Sequence, residues 1–205
     1  MGMEAYLQNS KIIDWQHPEV WQQAQQLSVG KDSLIVIAQA CFEWVRDEIL
    51  HSSDYQLNPV TCCASEVLKF RTGYCYAKSH LLAALLRANS IPAGFCYQRL
   101  SIDDMGEPYS LHGFNGIFLP EIGWYRVDPR GNKEGIQAEF IPPQEKLAYP
   151  IRLSGEWDFK QIFAEPLPVV VKALQTYQTW DELHKNLPDV CLVELEILAN
   201  QHLVE

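Results

Sequence analysis

The stretch Gly73-Tyr74-Cys75-Tyr76-Ala77-Lys78-Ser79-His80-Leu81-Leu82-Ala83-Ala84-Leu85-Leu86-Arg87-Ala88-Asn89 decides how this chain folds. From Tyr76 onward it is rich in Ala and Leu, the strongest helix formers. Apolar residues fill most of its circumference, which predicts a central, buried helix. Asn89 suits a left-handed cap, and Pro92 stops any continuation. Lys78 takes the default reading of an exposed helix lysine. His80, one turn on from Tyr76, reads as a hydrogen-bonded or surface residue. Cys75 stands at the N-terminus of the helix, just after Gly73. The helix dipole there favours thiolate over thiol, and the first backbone N–H groups are unpaired and can receive an oxyanion. Gly73, lacking a side chain, is expected to let a substrate approach the sulfur closely.

Upstream, residues 34 to 50 carry apolar side chains at helical spacing, with Asp32 or Ser33 available as N-cap. Residues 51 to 60 read as a loop ending at Asn58-Pro59, and Ala64 to Phe70 as a short helix before the Thr72-Gly73 break. Downstream of Pro92 the period changes. Gly94 to Leu100, His112 to Leu119 and Trp124 to Asp128 read as strands, with Pro120 to Gly123 as the turn between the last two. From Gly131 the chain is Pro-studded and irregular, followed by helix-like stretches at Val169 to Tyr177 and Pro188 to His202. No linker separates a second domain, so residues 1–205 are expected to form one domain with a core at about 34–131 and an extension at about 132–205.

The net charge of −10 and the scattering of sixteen Lys and Arg exclude a nucleic-acid face and an anionic membrane surface as partners. No apolar run reaches the roughly 20 residues needed to span a bilayer. The N-terminus lacks the basic-then-apolar pattern of a secretory signal, and a reducing cytoplasm is the expected setting. Six cysteines are present, Cys41, Cys62, Cys63, Cys75, Cys96 and Cys191; none falls in Cys-x-x-Cys, and most read as small core residues. Cys62, Cys63, Cys75, His80 and His112 lack the spacing of a zinc motif, so no metal site is expected.

A nucleophilic cysteine needs a base, and the base an orienting group. His112 opens one predicted strand and Asp128 closes the next. Both lie at the open end of a hairpin, on one face only in the correct register. Pairing Phe118 with Trp124 satisfies this; a slip of one residue sends the two groups to opposite faces. His17, His51, His184 and His202 have no partner context and read as surface.

The order Cys, then His on a strand, then Asp on the next, resembles the transglutaminase-like superfamily with its papain-like Cys–His–Asp triad. The local text does too: Ala64-Ser65-Glu66-Val67-Leu68, Gly73-Tyr74-Cys75, Leu81-Leu82-Ala83-Ala84-Leu85-Leu86-Arg87, Ile91-Pro92-Ala93, His112-Gly113-Phe114 and Gly123-Trp124-Tyr125-Arg126-Val127-Asp128-Pro129. The resemblance covers about residues 34 to 131. It implies an α+β fold, a helical cluster carrying the cysteine packed on an antiparallel sheet or barrel. It also implies acyl transfer through a thioester, with Cys75 as nucleophile, His112 as base and Asp128 as the group that orients the histidine. No cofactor is implied. Phe114, Tyr76-Ala77-Lys78 and Arg130 depart from the family's commoner residues, and each lines the place where specificity is set.

Tyr74, Tyr76, Trp124 and Arg130 are the candidate substrate-binding residues, and Tyr55 or Gln56 the candidate source of a second oxyanion donor. Two classes of function follow. One is a thiol amidase, peptidase, crosslinker or arylamine N-acetyltransferase-like enzyme acting on a protein, peptide or small amide or ester. The other is a non-catalytic binding or scaffold module that keeps the fold.

Overall fold

A computed structural model describes residues 2–190. The N-terminal part is helical: a 3-10 turn at Met3–Leu7, α1 at Pro18–Ser28 and α2 at Leu34–Glu48. The two-residue strand β1 (Leu50–His51) and the short helix α3 (Ser52–Tyr55) follow, then α4 (Ala64–Phe70), β2 (Thr72–Gly73) and α5 (Cys75–Ala88). The segment expected to be a loop at 51–60 therefore opens with structure. β1 pairs in parallel with β2, and the Ser52 and Thr72 hydroxyls hydrogen-bond each other at 3.0 Å.

Helix α5 is the axis of the core, and all of its residues are buried. Lys78 is buried with the rest, correcting the exposed reading. Its ammonium donates to the carbonyl of Arg46 at 3.2 Å and to that of Ile49. These carbonyls lie at the C-terminal end of α2, where no intrahelical donor remains for them. Burial, and then the charge of Arg130, lower the Lys78 pKa to about 7. His80 is also buried; its Nδ1–H donates to the Cys62 carbonyl at 2.8 Å, and burial lowers its pKa to about 4. Arg87 fastens the far end of the helix through donation to the carbonyls of Gln8, Ala93 and Ala164.

The sheet runs β5-β4-β3-β8, where β3 is Ala93–Ser101, β4 Tyr109–Leu119, β5 Gly123–Val127 and β8 Trp157–Asp158. All its pairings are antiparallel. The β4–β5 hairpin has the expected register, with Phe118 opposite Trp124 and Gly116 opposite Arg126. His112 lies within β4, which begins three residues earlier, and Asp128 sits one residue past β5. Gly113 lets β4 lie close on α5, since a Cβ there would come within 2.8 Å of the Tyr76 ring.

Between β5 and β8 a small hairpin turns at Pro142–Pro143, with β6 at Glu139–Ile141 and β7 at Gln144–Lys146. The chain then continues through α6 (Pro168–Thr176) and α7 (Trp180–His184). The helix expected over 188–202 falls largely outside the described residues, and its first three, 188–190, are not helical. One buried apolar cluster draws residues from Ile13 to Val190. Among the described residues, no helix is long and apolar enough to cross a membrane.

Candidate active site

Cys75 is the first residue of α5 and is nearly buried, at 7% exposure. Gly73 does not open a path to it: a Cβ at Gly73 would point at Ala77 and Thr61 instead, correcting the role expected for that glycine. Here glycine is needed for packing against the helix, not for substrate approach.

His112 lies on the strand that crosses the start of α5. Its Nε2 is 2.7 Å from Oδ2 of Asp128, and Cys75 is within hydrogen-bonding reach of the same ring. With Nε2 taken by the carboxylate, Nδ1 is the nitrogen left for the sulfur. Tyr149 meets the imidazole edge-on at 4.9 Å, and Phe114 stacks with it at 5.9 Å, so the ring plane is fixed from both sides. Burial alone would push the imidazolium down. The charges of Asp128 and Cys75 outweigh it, and the His112 pKa is raised to about 10.

Asp128 is fully buried. Besides His112, it accepts the backbone N–H of Arg130 on Oδ1 and of Ala148 on Oδ2, each at 3.1 Å. Burial raises a carboxyl pKa, but these three donors together hold Asp128 below its ordinary value. The buried carboxylate is satisfied, as a buried charge must be.

A cleft of about 300 Å³ opens above Cys75 and His112. Tyr74 and Tyr76 line it, although their hydroxyls are engaged, with the carbonyls of Trp180 (2.5 Å) and Leu111 respectively. Arg130 lines it as well. Its guanidinium is held by Asp54 in a two-pronged pair at 2.6 and 2.9 Å, which restrains it as a free substrate contact. Trp124 is elsewhere: it packs on Tyr6 and Phe118 at the turn end of the hairpin. Tyr55 and Gln56 do not line the cleft; from that segment His51, Ser53 and Asp54 do.

His51, read from the sequence as a surface residue, is buried at 8% exposure against Tyr74. The reason is long-range: β1 is drawn in beside β2, so His51 stands opposite Gly73. Its Nδ1 is 3.8 Å from Asp54 and has no hydrogen-bond partner among the described residues. Sequence reasoning also missed Tyr149 and the β3–β4 hairpin tip, which brings Ile102 and Asp104 to the cleft rim. His184 is exposed as expected, yet it and Leu187 form the opposite rim.

The family model described as "Transglutaminase-like superfamily" matches residues 22–129, just over half of the chain. The chain belongs to that superfamily. Among solved structures, a candidate cysteine protease from Cytophaga hutchinsonii is similar, with a TM-score of 0.51, 19% identity, 62% of this chain covered and 42% of that one. The periplasmic domain of TgpA from Pseudomonas aeruginosa gives a TM-score of 0.45 at 22% identity, covering 63% of this chain and 48% of that one. This transglutaminase-like chain thus spans less than half the length of either, and the likeness to the Cytophaga protein speaks to the fold alone. Among curated proteins, none matches.

Proposed function

We propose that this chain is a cysteine-dependent acyl-transfer or hydrolytic enzyme acting on an amide or ester through a thioester at Cys75. The observation that carries the reading is the placing of His112 between Cys75 and a fully buried Asp128 that bonds it at 2.7 Å. A charged imidazolium beside the sulfur stabilises a thiolate. The thiolate attacks the substrate carbonyl, and the unpaired N–H groups at the start of α5 receive the oxyanion. His112 gives its proton to the leaving group, and the C–S bond of the thioester remains. Water or an amine then attacks the thioester, losing a proton to the now neutral His112, and the thiolate–imidazolium pair is regenerated. Asp128 orients the ring and offsets its positive charge throughout. A reducing cytoplasm suits this chemistry, and the five described cysteines are all unpaired thiols.

The test is the rate of iodoacetamide labelling at each cysteine, read by mass spectrometry from pH 5 to 9, in the native chain and in His112→Ala. Burial raises the thiol pKa values of Cys41 and Cys62 to about 12 and of Cys63 to about 11, so these serve as slow internal standards. Cys75 is expected to label fastest at pH 6 and to lose that advantage in the variant. Equal labelling of Cys75 and the standards, indifferent to His112, would leave a binding module in place of an enzyme.

A further inference from the structure

The cleft has a second histidine–carboxylate pair, which the mechanism above does not use. His51 is buried at 8% exposure, lines the cleft beside Tyr74 and Cys75, and is anchored through β1 to the strand that leads into Cys75. Its Nδ1 is shut away without a hydrogen-bond partner among the described residues, 3.8 Å from the Asp54 carboxylate. Asp54 is in turn fixed by Arg130 and by Lys133 at 2.7 Å. Arg130 is continuous with the other wall, because its backbone N–H is bonded by Asp128.

This arrangement sets the polarity of His51. Burial, and then the charge of Arg130, hold the ring well below its usual pKa, so it is a neutral imidazole with one N–H. Nδ1 lies 3.8 Å from the Asp54 carboxylate, and that negative charge favours the proton on Nδ1 over Nε2. Nε2, the ring nitrogen that is not shut away without a partner, then carries a lone pair that this cleft-lining residue can offer to a ligand. A lone pair repels a carbonyl oxygen or an oxyanion and pairs with an N–H. An acceptor held in a nearly buried wall discriminates strongly, because a substrate without the donor leaves it unpaired.

We propose that His51 is a specificity residue that accepts a hydrogen bond from the N–H of the scissile amide, so that the cleft selects amides bearing N–H over esters and tertiary amides. The inference rests on the acyl-transfer reading of Cys75. In acylation the C–N bond breaks as the C–S bond forms. The leaving nitrogen keeps the hydrogen bonded to His51 and gains a second proton from His112, departing as a neutral amine.

The test uses 4-nitroacetanilide, its N-methyl derivative and 4-nitrophenyl acetate, which share one acyl group. Acetyl-Cys75 is followed by mass spectrometry and the leaving group by absorbance, in the native chain, His51→Phe and His51→Gln. The expected result is at least a tenfold loss with the anilide in His51→Phe and no more than threefold with the ester, which also reports that the variant is folded. His51→Gln, whose amide oxygen accepts, should recover part of the anilide rate. The native chain should also discriminate at least tenfold against the N-methyl anilide. Anilide and ester rates that fall by one factor would mark His51 as an oxyanion donor or a packing residue, and an unchanged anilide rate would also overturn the proposal. A native chain acylated by the ester but not by the anilide sinks this inference alone. No acetyl-Cys75 from any of the three sinks the acyl-transfer reading with it.

Discussion

The two walls of the cleft each present a histidine with a carboxylate beside it, and the two histidines are driven in opposite directions. On one wall His112 faces an Asp128 whose other hydrogen-bond partners, among the described residues, are backbone N–H groups, and its pKa is raised to about 10. On the other, His51 faces an Asp54 whose oxygens are already bonded by Arg130 and Lys133, and its pKa falls well below the usual value. The carboxylate of Asp54 is itself strongly acidic: burial works against it, yet the two cations hold it at about 2. What a carboxylate does to a neighbouring histidine thus depends on what else has claimed it. Burial is the first cause of the low His51 pKa and the charge of Arg130 the second, and together they outweigh the pull of Asp54.

The most damaging way to break this contrast is Asp128→Asn, which keeps the shape and removes the charge. Acylation of Cys75 by an activated ester is expected to fall by about 10³-fold or more, because the ring loses both its tautomer and its counter-charge. Single-turnover release of the leaving group measures this. Arg130→Gln should make the His51 wall resemble its opposite. It frees Asp54 and removes a repelling charge, so the His51 titration followed by proton NMR should move upward. The same change leaves Asp54 short of its main partner and is expected to cost about 4 kcal/mol in urea unfolding.

His80 supplies the limiting case, a buried histidine on which no carboxylate of the described residues acts. It has Arg87 as the charged neighbour that acts on it, and its folded pKa of about 4 lies below the 6.5 of an ordinary histidine. As pH falls through that interval the unfolded chain takes up a proton that the folded chain refuses, so stability is lost toward acid. The loss should total on the order of 3 kcal/mol. Comparing the pH dependence of unfolding with that of His80→Phe would expose it, and parallel curves would count against the assignment. His112 tilts the other way: its contribution is complete below pH 6.5 and is lost as pH rises toward 10. The smallest effect belongs to Lys133→Ala. This half-exposed ammonium shares Asp54, and its loss should change stability by less than about 0.5 kcal/mol, with a slight upward drift of the His51 titration.

The wall that was legible in the sequence is the one built from local signals. Cys75 follows a Gly-Tyr step into an Ala- and Leu-rich helix, and the hairpin register follows from strand alternation once His112 and Asp128 are required to share a face. That same register already put Trp124 opposite Phe118 at the turn, so its absence from the cleft was readable and was overlooked. Lys78 is similar: a helix apolar on every side has no exposed face on which to place a lysine. His51 is different in kind. Its burial comes from a two-residue parallel pairing with a strand more than twenty positions away, for which a single sequence carries no periodic signal. Tyr149 and the rim at His184 and Leu187 belong to irregular chain, whose path is set by tertiary contacts.

The contacts of the segment after 129 bear on where the working unit ends. The family match stops at residue 129, yet Asp128 draws one bond from Ala148, Tyr74 is tied to Trp180, and the N–H of Leu111, next to His112, is taken by the Pro188 carbonyl at 2.8 Å. The residues flanking Cys75 and His112, the proposed nucleophile and base, are therefore braced by chain that the family signature does not include. A transplant of residues 22–129 into another protein would carry the three side chains of the proposed triad and leave behind the scaffolding that braces them. The smallest portable version of this site extends to at least residue 188.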